Sequence, residues 1–503
     1  MKAISIVIVL AVFMLNHNLS GRNIHVLTLE KSQQLARQNS FKMRSLLEDF
    51  KIARYELRAA RNRFKTQINL KFDLPDYSET ISSLQDSAGL HYFPLKQARY
   101  NAYLQIEQPL PTDGFFYLSS GIYHVQDYFL QEQSFRLNTR LGFEQPIESF
   151  YAYNRIKSSL KMAELNYRLS EKRLLRAQLD LEYEVASAFY SLYSALERKN
   201  IALQTLRQQR DAYQLALNKF KAGVIAEVEA LQMEVDLGEA QNNFDLSLVE
   251  VQQKADAFKQ LLNIDLQDSV ILNTDLTYPI VKIDLQKALE FGFKNRLEIQ
   301  ERKIAIEQQK LTLKRIDAEN QIQGKISAYY DFIGVRQEPR YYALNTTFQN
   351  AWEELKKRPG NRGIAFSITI PLWDWHVNKN QTLAQKARLH QQQMALKDLE
   401  ITIKRDIRNT VMELESSLKR LQLLEKNVAV AEKSFAISKN RFANGDINSQ
   451  ALALDRNRLS QAYNSRLNAL INYKLLLADV KRKTFYDFVN DHPVSLDDYL
   501  QQE

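Results

Sequence analysis

The side chains best suited to catalysis are scattered in this sequence. Its seven histidines are dispersed, and none forms the pair four residues apart, with an intervening glutamate, that holds zinc in an HExxH helix. His376, next to Asp374 and Trp375, has neighbours that could make it a ligand, although packing at a membrane interface explains the same triplet. Cysteine is absent. That excludes a disulfide framework, a thiolate metal site, a cysteine nucleophile and a lipid anchor on an N-terminal cysteine. No glycine-rich phosphate loop, no G-x-S-x-G elbow and no carboxylate pair stands out from the charges of the helical surfaces. The chain reads as something other than an enzyme, with no cofactor and no metal. The net charge of +9 is spread as Lys and Arg interleaved with Asp and Glu, as on solvated faces. The nearest thing to a basic cluster, Lys356-Lys357-Arg358, is three residues in a stretch read as loop, so no nucleic-acid partner is expected.

What repeats in this sequence is architecture. Tyr213–Gly223 recurs 222 positions later as Phe435–Gly445, with Phe220 answering to Phe442 and Gly223 to Gly445. The same offset pairs Val185 with Ile407, Phe189 with Val411, Leu192 with Leu414, Leu206 with Val428 and Leu237 with Leu459. One unit has been used twice. Only 13 Gly and 10 Pro punctuate the chain, against average usage of roughly 7% and 5%, which suits a few very long helices. Lys2, the apolar run from Ala3 to Leu15 and Ser20-Gly21 have the layout of a secretory signal peptide, expected over 1–21.

Each half opens with a helical pattern, 28–65 and 285–322. The period then changes from about 3.6 to 2. Ile68, Leu70, Phe72 and Leu74 alternate with polar residues over 66–74, and Leu137, Leu141 and Phe143 over 137–146. Ile326, Ala328, Tyr330 and Phe332 do so over 323–333, and Ile364, Phe366, Ile368 and Ile370 over 363–372. The returning strands end at Pro146 and Pro371, where a residue without an N–H suits the exit from a ladder. Two readings are open: half-buried strands of a soluble sheet, or walls of an outer-membrane barrel. The signal peptide and the aromatic cluster Phe150, Tyr151, Tyr153, Trp373 and Trp375 at the strand ends favour the barrel with an aromatic girdle. Four strands cannot close a barrel alone, so other copies must complete it.

Long helices follow at 150–220 and 376–442, each reaching roughly 100 Å at 1.5 Å per residue. Ile403, Ile407, Val411, Leu414, Leu418, Leu421 and Val428 form a seam of coiled-coil spacing. The chain turns at Gly223 and Gly445 into further helices. The first repeat thus covers 28–262, a linker 263–284, the second repeat 285–482, and a loosely held acidic tail 483–503. The expected fold class is mainly α with a transmembrane β portion, built from a duplicated helix–strand–strand–long helix–helix unit.

In this order and doubling, over about 28–482, the chain resembles the TolC-like outer-membrane efflux family. The resemblance implies a homotrimer sharing a twelve-stranded β-barrel in the outer membrane of a Gram-negative bacterium, in contact with its lipid. It also implies a continuous twelve-helix periplasmic α-barrel. The function implied is a passive exit duct for efflux or type I secretion, docked on a periplasmic adaptor (membrane fusion) protein and an inner-membrane pump. Carried over by position, the adaptor-docking tips are Phe220, Lys221, Gly223 and Val224, with Arg441, Phe442, Gly445 and Asp446. The family's acidic constriction lies six and nine residues past the second glycine. Here Ala451 and Leu454 occupy those places, leaving Glu229 and the displaced Asp455 as candidates. A further departure is the long segment 75–136, expected as an outer insertion: either an external hairpin with 115–124 as its return, the favoured reading, or a different placement of the first-half strands. Within it Leu104-Gln-Ile-Glu-Gln-Pro109 echoes Leu141-Gly-Phe-Glu-Gln-Pro146. The competing class is a secreted coiled-coil scaffold without a channel.

Overall fold

The structure, a computed structural model, describes residues 23–494 apart from 88, 275–276, 320 and 339–342; the expected signal peptide lies outside the described residues. From the N-terminus, β1 (Ile24–Leu27) leads to α1 (Leu29–Asn39) and α2 (Phe41–Asn62), then to four strands. These are β2 (Gln67–Asp86), β3 (Gly89–Pro109), β4 (Phe115–Asp127) and β5 (Glu132–Pro146). The single turn α3 (Glu148–Tyr151), the long α4 (Arg155–Lys221) and α5 (Glu227–Leu262) follow, then β6 (Ser269–Leu272), α6 (Leu285–Asn295) and α7 (Leu297–Ala318). β7 (Gln323–Glu338), α8 (Leu344–Lys357) and β8 (Asn361–Thr369) precede the long α9 (Val377–Asn444) and α10 (Ser449–Thr484). Two short strands, β9 (Tyr486–Asp487) and β10 (His492–Pro493), end the described chain. It divides into two compact units: Met1–Asp49, Glu171–Gln300 and Lys397–Glu503 in one, Phe50–Ser170 and Glu301–Leu396 in the other.

The first unit is helical. Its seam repeats in both halves: Val185 and Ile407, Phe189 and Val411, Leu192 and Leu414, Leu206 and Val428 are all buried. Each opening helix is two helices rather than one. Ser40 is extended at ψ 138°, and its hydroxyl accepts the Met43 N–H at 3.2 Å, starting α2. Arg296 makes the matching break, also extended, with its guanidinium donating to Glu298 and to the Lys483 carbonyl. Neither break is marked by a Gly or Pro at the break itself, because a capping Ser, or an Arg with outside partners, replaces the lost helical bonds. The linker contains β6, which pairs in parallel with β1. The described part of the tail is fastened rather than loose. Lys481 binds Asp487 at 2.9 Å, Lys287 binds Asp491 at 2.8 Å, and the rings of Phe291 and Tyr486 lie 4.5 Å apart.

The second unit holds one antiparallel sheet of six strands in the order β2-β3-β4-β5-β7-β8. The expectation of two strands from the first half is corrected to four. The strand expected at 66–74 continues to Asp86 past a bulge between Asp73 and Asp76, and 115–124 pairs with β5 as well as with β3. Segment 75–136 is therefore no separate insertion. Tyr103, Tyr117 and Tyr123 on the polar face blur its alternation, and Pro75 falls at the bulge, where a missing N–H is tolerated. The sheet has two unlike faces. Cross-strand partners put Leu70, Leu104, Leu118, Leu141, Tyr330 and Phe366 on one, and Asn69, Gln105, Ser119, Arg140 and Asp331 on the other. α8 lies against the apolar face, where Ala351 and Leu355 pack on Phe135 and Leu137. This corrects the loop expected around Lys356-Lys357-Arg358: both lysines belong to the last turn of α8 and Arg358 caps it.

Candidate functional site at the helical tips and the sheet faces

The two turns are built alike because each centres on a glycine, which has no Cβ to strain the left-handed backbone there. Gly223 has φ +71° and Gly445 φ +91°. The Gly223 N–H donates to the Phe220 carbonyl and the Val224 N–H to that of Lys219, at 2.9 and 2.8 Å. Gly445 donates to Phe442 and Asp446 to Arg441, at 3.1 and 2.9 Å. Both are Schellman closures of a long helix.

What the turns display differs. Phe442 is only 2% exposed and packs with Ala216, Met233 and Leu452. Its repeat partner Phe220 is 37% exposed. The cations are reversed: Lys219 reaches inward, its ammonium 4.8 Å above the Phe442 ring and bonded to the Phe442 carbonyl. Its counterpart Arg441 is exposed, as are Lys221, Gly223, Val224, Gly445 and Asp446. The structure thus brings the eight tip residues together at two neighbouring turns but withdraws Phe442 into their core.

The caps differ too. Asn448 accepts the Ala451 N–H at 3.0 Å at the start of α10, whereas its counterpart Ala226 offers α5 no side-chain cap. Ala226 already has the extended conformation of a cap, φ −70° and ψ 151°. Ala226→Asn is therefore expected to stabilise the protein by about 1 kcal/mol, read as a raised unfolding midpoint in denaturant; a lowered midpoint would contradict the cap geometry.

Glu229 is half-buried in the first turn of α5. Asp455 is committed locally, accepting from Ser438 at 2.5 Å and from Arg458 at 3.2 Å. Sequence reasoning missed a deeper charge. Arg456, 8% exposed, faces Asp236 across 3.6 Å. Burial pushes its guanidinium down from its ordinary value, against the pull of the Asp236 carboxylate. Its only sequence signal is an arginine spaced with Leu452 and Leu459 on one helical face.

On the sheet, the polar face carries Arg140 paired through two nitrogens with Asp331, at 2.5 and 2.7 Å, and 4.6 Å above the Tyr329 ring. Gly142 and Gly363 are glycines for a local reason: a Cβ would fall 2.3 Å from the Tyr117 ring and 2.7 Å from the Tyr329 ring. Phe150, Trp373 and Trp375 are exposed at 66%, 70% and 80%. The Tyr151 hydroxyl donates to the Ile322 carbonyl, and Tyr153 is half-buried. The rings of Trp373 and Trp375 meet edge to face at 5.5 Å. Asp374 accepts the His376 and Asn378 N–H groups at 2.9 Å and so starts α9. His376 packs against Trp373. Among the described residues no group of His, Asp and Glu converges to hold a metal ion, and no helix is long and apolar enough to cross a membrane.

A sheet with one apolar face, followed by long helices closed in paired turns, is the chain of an outer-membrane channel. The chain belongs to the outer membrane efflux protein family, whose model matches residues 131–263 and 345–479, more than half of the sequence. Its fold is similar to that of the outer-membrane channel OprN, at 14% identity and TM-score 0.67 over 91% of this chain and 89% of that one. It is similar to the CmeC channel of Campylobacter jejuni, at 13% and 0.68 over 94% and 88%. It is also similar to VceC of Vibrio cholerae, at 14% and 0.66 over 93% and 97%. Comparison with curated proteins gives no significant match. The protein is an outer-membrane efflux channel, and its family is one of ducts rather than enzymes. The scaffold reading falls with that assignment.

Proposed function

We propose that this chain is the passive exit duct of a tripartite export system, working as a homotrimer with a periplasmic adaptor and an inner-membrane pump. The observation that carries this reading is the pair of Schellman-closed tips, alike in backbone and complementary in what they expose. Two similar but unequal turns per chain suit an adaptor that must engage both halves of the repeat. Three copies supply twelve long helices for a tunnel from α4, α5, α9 and α10. The part of the apolar sheet face that α8 leaves uncovered meets lipid, and Phe150, Tyr151, Tyr153, Trp373 and Trp375 form the aromatic girdle at its boundary.

At the tips, Phe220, Lys221, Val224, Arg441 and Asp446 provide the docking surface, while Phe442 supports it from inside. Reversing the exposed charge with Arg441→Glu should abolish export and adaptor capture while leaving the trimer intact. Normal export by that variant would contradict the assignment. Glu229 supplies the constriction charge, since the carboxylate of Asp455 is already held by Ser438 and Arg458. Glu229→Ala should lower cation selectivity in single-channel recordings, and unchanged selectivity would remove Glu229 from that role.

A further inference from the structure

The two outermost hairpins of the first half have the same base. In β4–β5, the Thr112 hydroxyl donates to the Gln145 side-chain oxygen at 2.6 Å. The Gln145 amide returns to the Thr112 and Pro146 carbonyls at 2.8 and 2.7 Å. In β2–β3, the Thr66 hydroxyl donates to the Gln108 oxygen at 2.5 Å. The Gln108 amide returns to the Phe64 and Pro109 carbonyls at 3.0 and 2.8 Å. The echo between Gln108-Pro109 and Gln145-Pro146 is therefore a repeated clasp between the start of one strand and the end of the next.

The faces continue across both hairpins. Leu70 sits beside Leu104, Leu104 beside Ser120, and Ser120 beside Thr139, whose hydroxyl it meets at 2.9 Å. An external hairpin has no reason to keep an apolar face in register with a membrane wall. Ile68, Leu70 and Phe72 are nonetheless 64%, 59% and 58% exposed on that face. Beyond the bulge at Asp73/Asp76 that face becomes mixed, Glu79 and Ser83 alternating with Tyr77 and Ile81, and its continuous apolar run ends. The wall portion of β2 is then Gln67–Leu74, about the length of the nine-residue β8. These two strands carry the free edges of the sheet. With six strands in up-and-down order they run antiparallel, as closure requires.

We infer that each copy contributes six strands to the membrane wall, the edge of β8 in one copy pairing with the Gln67–Leu74 edge of β2 in the next. The partner is a second copy of this chain, because edges facing lipid must be paired and these two match in length, direction and face. With the three copies of the proposed function, the wall has eighteen strands instead of twelve. Its diameter is about 1.5-fold larger at equal tilt, since diameter grows roughly linearly with strand number. The inference rests on the duct reading. It tests separately, because conductance reports the duct and strand pairing reports the wall.

The absence of native cysteine makes disulfide trapping clean. Ala365→Cys on the polar face of β8 is combined in turn with Asn69→Cys, Lys71→Cys and Asp73→Cys on the same face of β2. At least one pair should give a covalent ladder ending at the full oligomer on a non-reducing gel. Ala365→Cys with Ser119→Cys on β4 should give none. A ladder from the β8–β4 pair would overturn the inference, because it means a twelve-stranded wall of β4, β5, β7 and β8 with the first hairpin displaced. Should a cysteine pair fail to assemble, electron cryo-microscopy of the cysteine-free oligomer counts the strands directly: eighteen are expected, and twelve would overturn the inference.

Discussion

Phe442→Ala should lower the stability of the protein by about 3–5 kcal/mol, the range for emptying a buried aromatic site, while Phe220→Ala should change it by less than about 1 kcal/mol. The two residues occupy equivalent places in the repeat, so local sequence predicts equal effects. Packing separates them. Phe442 fills the space between Ala216, Met233 and Leu452 and carries the Lys219 ammonium on its ring, whereas Phe220 is 37% exposed. Denaturant unfolding of the detergent-extracted protein, followed by helical circular dichroism, checks this. Equal losses from the two substitutions would show that both tips bury their phenylalanine. Export should respond differently: Phe220→Ala weakens docking without weakening the fold.

Asp236→Ala should cost a comparable amount, about 3–5 kcal/mol, because it leaves the buried Arg456 guanidinium with only the weaker pull of Glu239. Arg456 is 8% exposed and its Nε already lacks a partner. The double variant Asp236→Ala/Arg456→Met should recover most of that loss, since removing both charges also removes the cost of burying one alone. Were the double variant to lose the sum of the two single losses, Arg456 would owe its place to packing and not to Asp236. The pair joins α5 to α10 a few turns from the tips, so its loss should also raise protease sensitivity there.

These expectations draw on different layers of the sequence. The 222-residue offset located both turns and the buried seam, because coiled-coil spacing and left-handed glycines depend on local chemistry. The unequal fates of Phe220 and Phe442 were not legible, since similar local patterns become unequal only when the two hairpins pack. The strands with the cleanest alternation, around Leu70 and Ile326, were found. β3 was not delimited and 115–124 was placed outside the wall, because tyrosines on the polar face imitate apolar residues, although the shared Gln-Pro endings marked the second hairpin. α8 was also legible in principle: Leu344, Phe348, Ala351 and Leu355 recur at helical spacing. The Asp331 partner of Arg140 is distant in sequence and visible only through strand register.

Planar-bilayer recording of the detergent-extracted protein, with its mass determined in the same detergent, tests the duct most directly. A homotrimer that inserts and conducts in discrete steps is the predicted result. A protein that stays soluble without detergent and passes no current would contradict it, because the apolar sheet face would then have no membrane to meet.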